Sequence, residues 1–122
     1  MNIMNETITD KEAFESLFQS FIQALSILSK PAEEQCKIMG YYNTAWELKD
    51  DVFDGNDLIE FPGDYLTDQQ KYAIEQLLTE LRKIPDSVLQ EAITEDANLR
   101  AMNHPCWIPI RKHAVILLRS LE

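Results

Sequence analysis

The sequence predicts an all-α protein, and three observations carry that prediction. Apolar residues recur at spacings of three and four along several stretches, capping-box patterns stand at Thr9 and Thr67, and the chain has only 3 glycines and 5 prolines. An all-β fold needs many short turns, so a chain this poor in turn-formers is expected to use long elements instead. With 122 residues, 45% hydrophobic and 26% charged, the chain suits a single core-burying domain over 1–122.

The elements follow in order. Thr9-Asp10-Lys11-Glu12 is a capping box ahead of Phe14, Leu17, Phe18, Phe21, Leu25 and Leu28, which form one apolar stripe on a first helix. Pro31 suits the start of a second helix, with Glu33 and Glu34 at its positive end. That helix is expected to run to about Asp51, with Cys36, Met39, Tyr42 or Asn43, Trp46 and Val52 or Phe53 inward and Gly40 marking close packing. Asp-Gly-Asn-Asp and Phe-Pro-Gly-Asp are turn signals, so 54–67 is expected to be the longest loop.

A third helix opens at Thr67, with Gln70 in the capping-box position, and carries Ile74, Leu77, Leu78 and Leu81 inward to a stop near Ile84. Pro85 and Asp86 predict a short fourth helix to about Glu95, burying Val88, Leu89, Ala92 and Ile93. Asn103-His104-Pro105 breaks the chain again. The last helix is expected from near Trp107, with Pro109 tolerated in its first turn and Ile110, Ala114, Leu117, Leu118 and Leu121 inward. About five helices with short links predict a compact bundle or orthogonal array.

Most chemistry is absent from the sequence. The chain has no glycine-rich phosphate loop, dinucleotide fingerprint or nucleophile elbow, so no cofactor and no catalytic residue is expected. Cys36 and Cys106 make no C-x-x-C pair and are expected as two buried thiols, the alternative being one disulfide. With His104 and His113 they match no compact zinc spacing. Around Asp50, Asp51 and Asp54 the chain is similar to a calcium loop. Placing Gly55 at its sixth position puts Val52 at a ligand position and Phe61 where the bidentate Glu belongs. No apolar run approaches the roughly 20 residues of a bilayer span. Glu6, Asp10 and Glu12 stand where a signal peptide would carry Lys or Arg, so a cytoplasmic location without membrane contact is expected.

Charge is the most informative feature. The net formal charge is −10, which repels phosphate backbones and argues against direct nucleic-acid binding. Between positions 47 and 68 stand the acids Glu47, Asp50, Asp51, Asp54, Asp57, Glu60, Asp64 and Asp68 against the single base Lys49, so −7 of the −10 is concentrated there. Trp46, Phe53, Phe61 and Tyr65 are interleaved with them, the residue types that most often anchor interfaces. The expectation is an acidic docking surface for a basic protein, formed by Glu47, Asp50, Asp51, Asp54, Asp57, Glu60 and Asp64 with Phe61 or Tyr65 as anchors. Two plainer explanations stand beside it. In one the acids form a solvated loop with Trp46 and Phe53 in the core; in the other Arg100, Arg111, Lys112 and Arg119 neutralise them inside the fold.

Small, acidic, helical and without catalytic motifs is also the profile of bacterial immunity proteins. Two segments resemble helical immunity proteins of contact-dependent growth inhibition systems. They are Tyr41-Tyr42-Asn43-Thr44-Ala45-Trp46-Glu47-Leu48-Lys49-Asp50-Asp51 and His104-Pro105-Cys106-Trp107-Ile108-Pro109-Ile110-Arg111-Lys112-His113-Ala114. The resemblance implies a bacterial cytoplasm and, as partner, a toxin nuclease domain whose basic cleft the acids would fill. The competing expectations are a carboxylate site for a divalent cation, and a helical adaptor or homodimeric regulatory protein.

Overall fold

The computed structural model describes residues 9–122, so Glu6 and the rest of 1–8 lie outside it. The described residues form an all-α array: α1 (Asp10–Leu28), α2 (Ala32–Met39), α3 (Thr44–Phe53), α4 (Gly55–Glu60), α5 (Asp68–Arg82), α6 (Glu95–Met102) and α7 (Trp107–Leu121), with a single 3-10 turn at Asp86–Val88. No helix among them is long and apolar enough to cross a membrane.

α1 is the spine. Thr9 Oγ1 accepts the Glu12 N–H at 3.1 Å while Glu12 reaches back to Thr9, which satisfies donors that the first helical turn leaves free. The stripe beyond it buries Phe21, Leu25 and Leu28 completely, each contributing on the order of 1.5–3 kcal/mol. α1 packs against α2, α3, α4 and α7, and α5 closes the other side against α4 and α7. The second capping box behaves alike: Thr67 Oγ1 accepts from Gln70 N at 3.0 Å, and Ile74, Leu77, Leu78 and Leu81 are buried.

α7 begins where expected. Pro109 sits in its first turn, where no backbone donor is required, and Ile110, Ala114, Leu117 and Leu121 are buried while Leu118 is only half-buried. Trp107 is wholly buried, and its indole Nε1 donates to the Ala101 carbonyl at 3.0 Å.

Four expectations are corrected. The helix from Pro31 to Asp51 is two helices, because the chain turns through Gly40 (φ 78), Tyr41 (φ 54) and Asn43 (φ 47) between α2 and α3. Gly40 caps α2 in the left-handed conformation rather than marking close packing, and a Cβ there would meet nothing within 4 Å. The close-packed glycine is Gly55, where an added Cβ would lie 2.6 Å from Phe21 Cε1 and 3.0 Å from Ile74 Cγ2.

The loop at 54–67 is irregular only in its second half, since α4 occupies its first half and buries Leu58 against the core. The helix expected over 85–95 is reduced to the 3-10 turn. Val88 and Ala92 are buried as foreseen, but Ile93 is 65% exposed. The helix in this region is α6, which starts on Thr94, whose Oγ1 accepts from Ala97 N at 3.1 Å. Thr94 followed by Glu95 and Asp96 is the sequence signal for it.

Two buried amides tie these short elements together. Gln35 Nε2 donates to the Ile27 and Leu28 carbonyls at the end of α1 (3.1 and 2.9 Å), while its Oε1 accepts from Arg111 of α7 at 3.2 and 2.8 Å. Arg111 also donates to the Met102 carbonyl. Asn98 Oδ1 accepts the Thr44 N–H at 2.8 Å, and its Nδ2 serves the carbonyls of Tyr41 (2.9 Å), Ala92 (2.9 Å) and Thr94 (2.8 Å). Three acceptors share two hydrogens there, so one N–H is bifurcated.

Candidate functional site

The break after Gly40 decides which side of α3 faces the core. The buried face is Thr44, Ala45, Leu48 and Val52, which leaves Trp46 49% and Tyr42 54% exposed. Trp46 is therefore not the inward residue that a continuous helix would make it. It lines a groove of about 230 Å³ with Lys49, Asp50, Phe53 and Leu89. Phe53 is half-buried and carries two of the chain's own cations, Lys49 Nζ and the Arg82 guanidinium, each 5.5 Å from its ring centroid.

Carboxylates crowd the same stretch. Asp50, Asp51, Asp54 and Asp57 are exposed and Glu47 is half-exposed. Partial desolvation, then the charges of Glu47, Asp50 and Asp54, push the Asp51 carboxyl above its ordinary pKa. Asp54 is raised in the same way, by desolvation and then by Asp57 and Asp50. Five of the expected site residues thus feel one another directly across α3 and the start of α4. Glu60 is engaged locally, accepting from Asn56 Nδ2 at 3.2 Å.

The expected anchors at the far end of the segment sit differently. Phe61 is half-buried, and Tyr65, 39% exposed, stacks on Phe14 of α1 with ring centroids 4.8 Å apart. Phe61 meets both rings edge-on, at 5.6 Å from Phe14 and 5.9 Å from Tyr65. These two aromatics hold the bend before α5 onto the core, with the exposed Asp64 beside them. The aromatic that stands free beside the carboxylate cluster is Trp46, which the spacing rule had turned inward.

Among the described residues, the basic side chains of the C-terminal quarter do not neutralise these acids. Among the described residues the ion pairs are Lys11–Glu15, Arg82–Glu75 and His113–Glu80, and none uses an acid between 47 and 68. Arg111 is committed to Gln35 and Met102, and burial followed by the nearby thiols Cys106 and Cys36 sets its pKa, with burial prevailing to lower it. Cys36 is buried and Cys106 half-buried, both free, with pKa values raised chiefly by desolvation. The His104–Ala114 stretch is chiefly structural, supplying Trp107, Ile110 and Arg111 to the core and its ties.

No three His, Cys, Asp or Glu side chains among the described residues gather in a way that could hold a metal ion. The arrangement nearest to a catalytic one is His113 Nδ1 on Glu80 Oε1, beside a groove of about 540 Å³ between α5 and α7 that Thr67 and Ser120 also line. Neither hydroxyl bonds the imidazole. Thr67 Oγ1 caps α5, and Ser120 Oγ donates to the Leu117 carbonyl at 2.8 Å, so no activated nucleophile is formed.

The chain is an all-α protein whose most distinctive surface is an acidic face, without ion-pair partners among the described residues, beside an exposed tryptophan. No protein-family model matches it, and no curated protein or solved structure gives a match.

Proposed function

We propose that this protein is a non-catalytic immunity protein that blocks a cationic toxin nuclease domain by covering its basic cleft with the acidic face of α3 and α4. One observation carries the proposal: the carboxylates from Glu47 to Asp57 crowd one another, with Asp50 lining a groove beside half-exposed Trp46, and have no ion-pair partner among the described residues. Surfaces that handle nucleic acid are basic because they bind phosphates, so an acidic face can take the place of the backbone. Steering by opposite charge speeds encounter, and a fully desolvated aromatic at the centre supplies affinity. The resemblance of the Tyr41–Asp51 stretch to immunity proteins of contact-dependent growth inhibition supports the same assignment and a place in the bacterial cytoplasm.

The test is recovery of the partner by affinity capture from the cell of origin, followed by binding kinetics. Changing Asp50, Asp51 and Asp54 together to Lys should slow association and flatten its dependence on salt. Unchanged association would reject the acidic face as the binding site.

A second reading rests on a different observation. Ile108 and Ile116 on α7 and Tyr72 on α5 are more than half exposed, a surplus of apolar surface that a homodimer or adaptor would cover. A monomeric mass at micromolar concentration excludes the homodimer.

A further inference from the structure

The acidic face offers more than charge, because one aromatic surface on it is left without a cation. Phe53 holds Lys49 and Arg82 over its ring, whereas among the described residues no cation of the chain stands over Trp46. Trp46 and Asp50 are four positions apart on α3, hence neighbours on one helix face, and both line the groove beside Leu89. Indole is the strongest of the aromatic cation acceptors, and a guanidinium can stack flat on a ring while its edge forks onto a carboxylate. An ammonium, a compact and strongly hydrated charge, satisfies only one of these partners well.

Resting on the reading of this face as a docking surface, we propose that the Trp46–Asp50 groove is a receptacle for an arginine side chain of the basic partner. The guanidinium stacks on the Trp46 indole and pairs with Asp50, while its methylene stem lies along Phe53 and Leu89. Lys49 lines the same groove and opposes a second cation, so it limits the affinity of the free site.

The chain's only other tryptophan, Trp107, is wholly buried, so a change in fluorescence on ligand addition reports on Trp46. Oligo-arginine and oligo-lysine peptides of equal length are titrated into the full chain at low salt. The arginine peptide should bind about two- to fivefold more tightly, with a shift in tryptophan emission. Trp46→Leu should remove the preference while leaving salt-sensitive binding of both peptides, Asp50→Asn should reduce it, and Lys49→Gln should tighten the arginine peptide. Because Trp46 and Asp50 are exposed, the variants at these two positions leave the core intact. Equal affinity for the two peptides with no emission change overturns the arginine receptacle alone. Failure of both peptides to bind overturns the acidic docking surface as well.

Discussion

Asn43 and Ala92, 49 residues apart in the chain, exchange two hydrogen bonds: the Asn43 N–H donates to the Ala92 carbonyl at 2.8 Å, and the Ala92 N–H donates to Asn43 Oδ1 at 2.7 Å. The side chain thus imitates a strand partner while its own backbone stands in the left-handed region at φ 47. That conformation costs a non-glycine residue about 1 kcal/mol or more, and asparagine tolerates it better than most. The clamp fixes the start of α3 and so the direction in which Trp46 points.

Replacing Asn43 separates the two contributions. Asn43→Gly keeps the positive φ but loses the acceptor for Ala92, whereas Asn43→Val loses both. The valine variant should unfold at clearly lower denaturant than the glycine variant, by about 1 kcal/mol or more of stability. Equal midpoints would show that the backbone conformation there is not strained.

Asn98 is the keystone of the same joint, and its loss strands buried groups from three elements. Asn98→Leu leaves the Thr44 N–H and the carbonyls of Tyr41 and Ala92 without that partner, and should cost about 3 kcal/mol or more in urea unfolding. Thr44 Oγ1 is already buried there with no nitrogen or oxygen partner, only the Cys36 thiol beside it, so the region has little polar reserve.

Gly55 joins α3 to α4 where no side chain fits. Gly55→Ala places a methyl group against Phe21 and Ile74, two core residues on different helices, and should destabilise by about 1–3 kcal/mol although alanine favours helix. A rise in melting temperature would contradict the packing described.

The acidic cluster should lower stability near neutral pH. Asp51 and Asp54 have raised pKa values in the folded protein, so their protonated forms favour folding. Their contribution is complete below the ordinary carboxylate pKa and is lost as pH rises through the raised folded values. Asp51→Asn and Asp54→Asn should therefore raise the melting temperature at pH 7 and have little effect at pH 3. Added salt should shrink the gain by screening the repulsion. Melting curves at both pH values decide this. No gain at pH 7 would mean that the carboxylates do not strain the fold.

The long helices and the concentration of charge were legible in the sequence because both are local properties. A capping box closes over three residues, a stripe repeats every three or four, and −7 of the charge lies in one stretch, so α1, α5, α7 and the acidic segment needed no distant information. The break before α3 was also written locally, in Gly40 as a left-handed cap and Asn43 as a helix starter, but the stripe through Cys36, Met39, Asn43 and Trp46 outweighed it.

What only the tertiary structure decided is the phase of α3. Periodicity states that a helix has an inner face, yet a few non-helical residues reset which residues occupy it. That reset is held by Asn43, Ala92 and Asn98, residues separated by as many as 57 positions from the groups they bond. Hydrogen bonds across such separations leave no periodic trace in the chain. They turn Thr44, Ala45, Leu48 and Val52 inward and leave Trp46 facing outward beside the carboxylates.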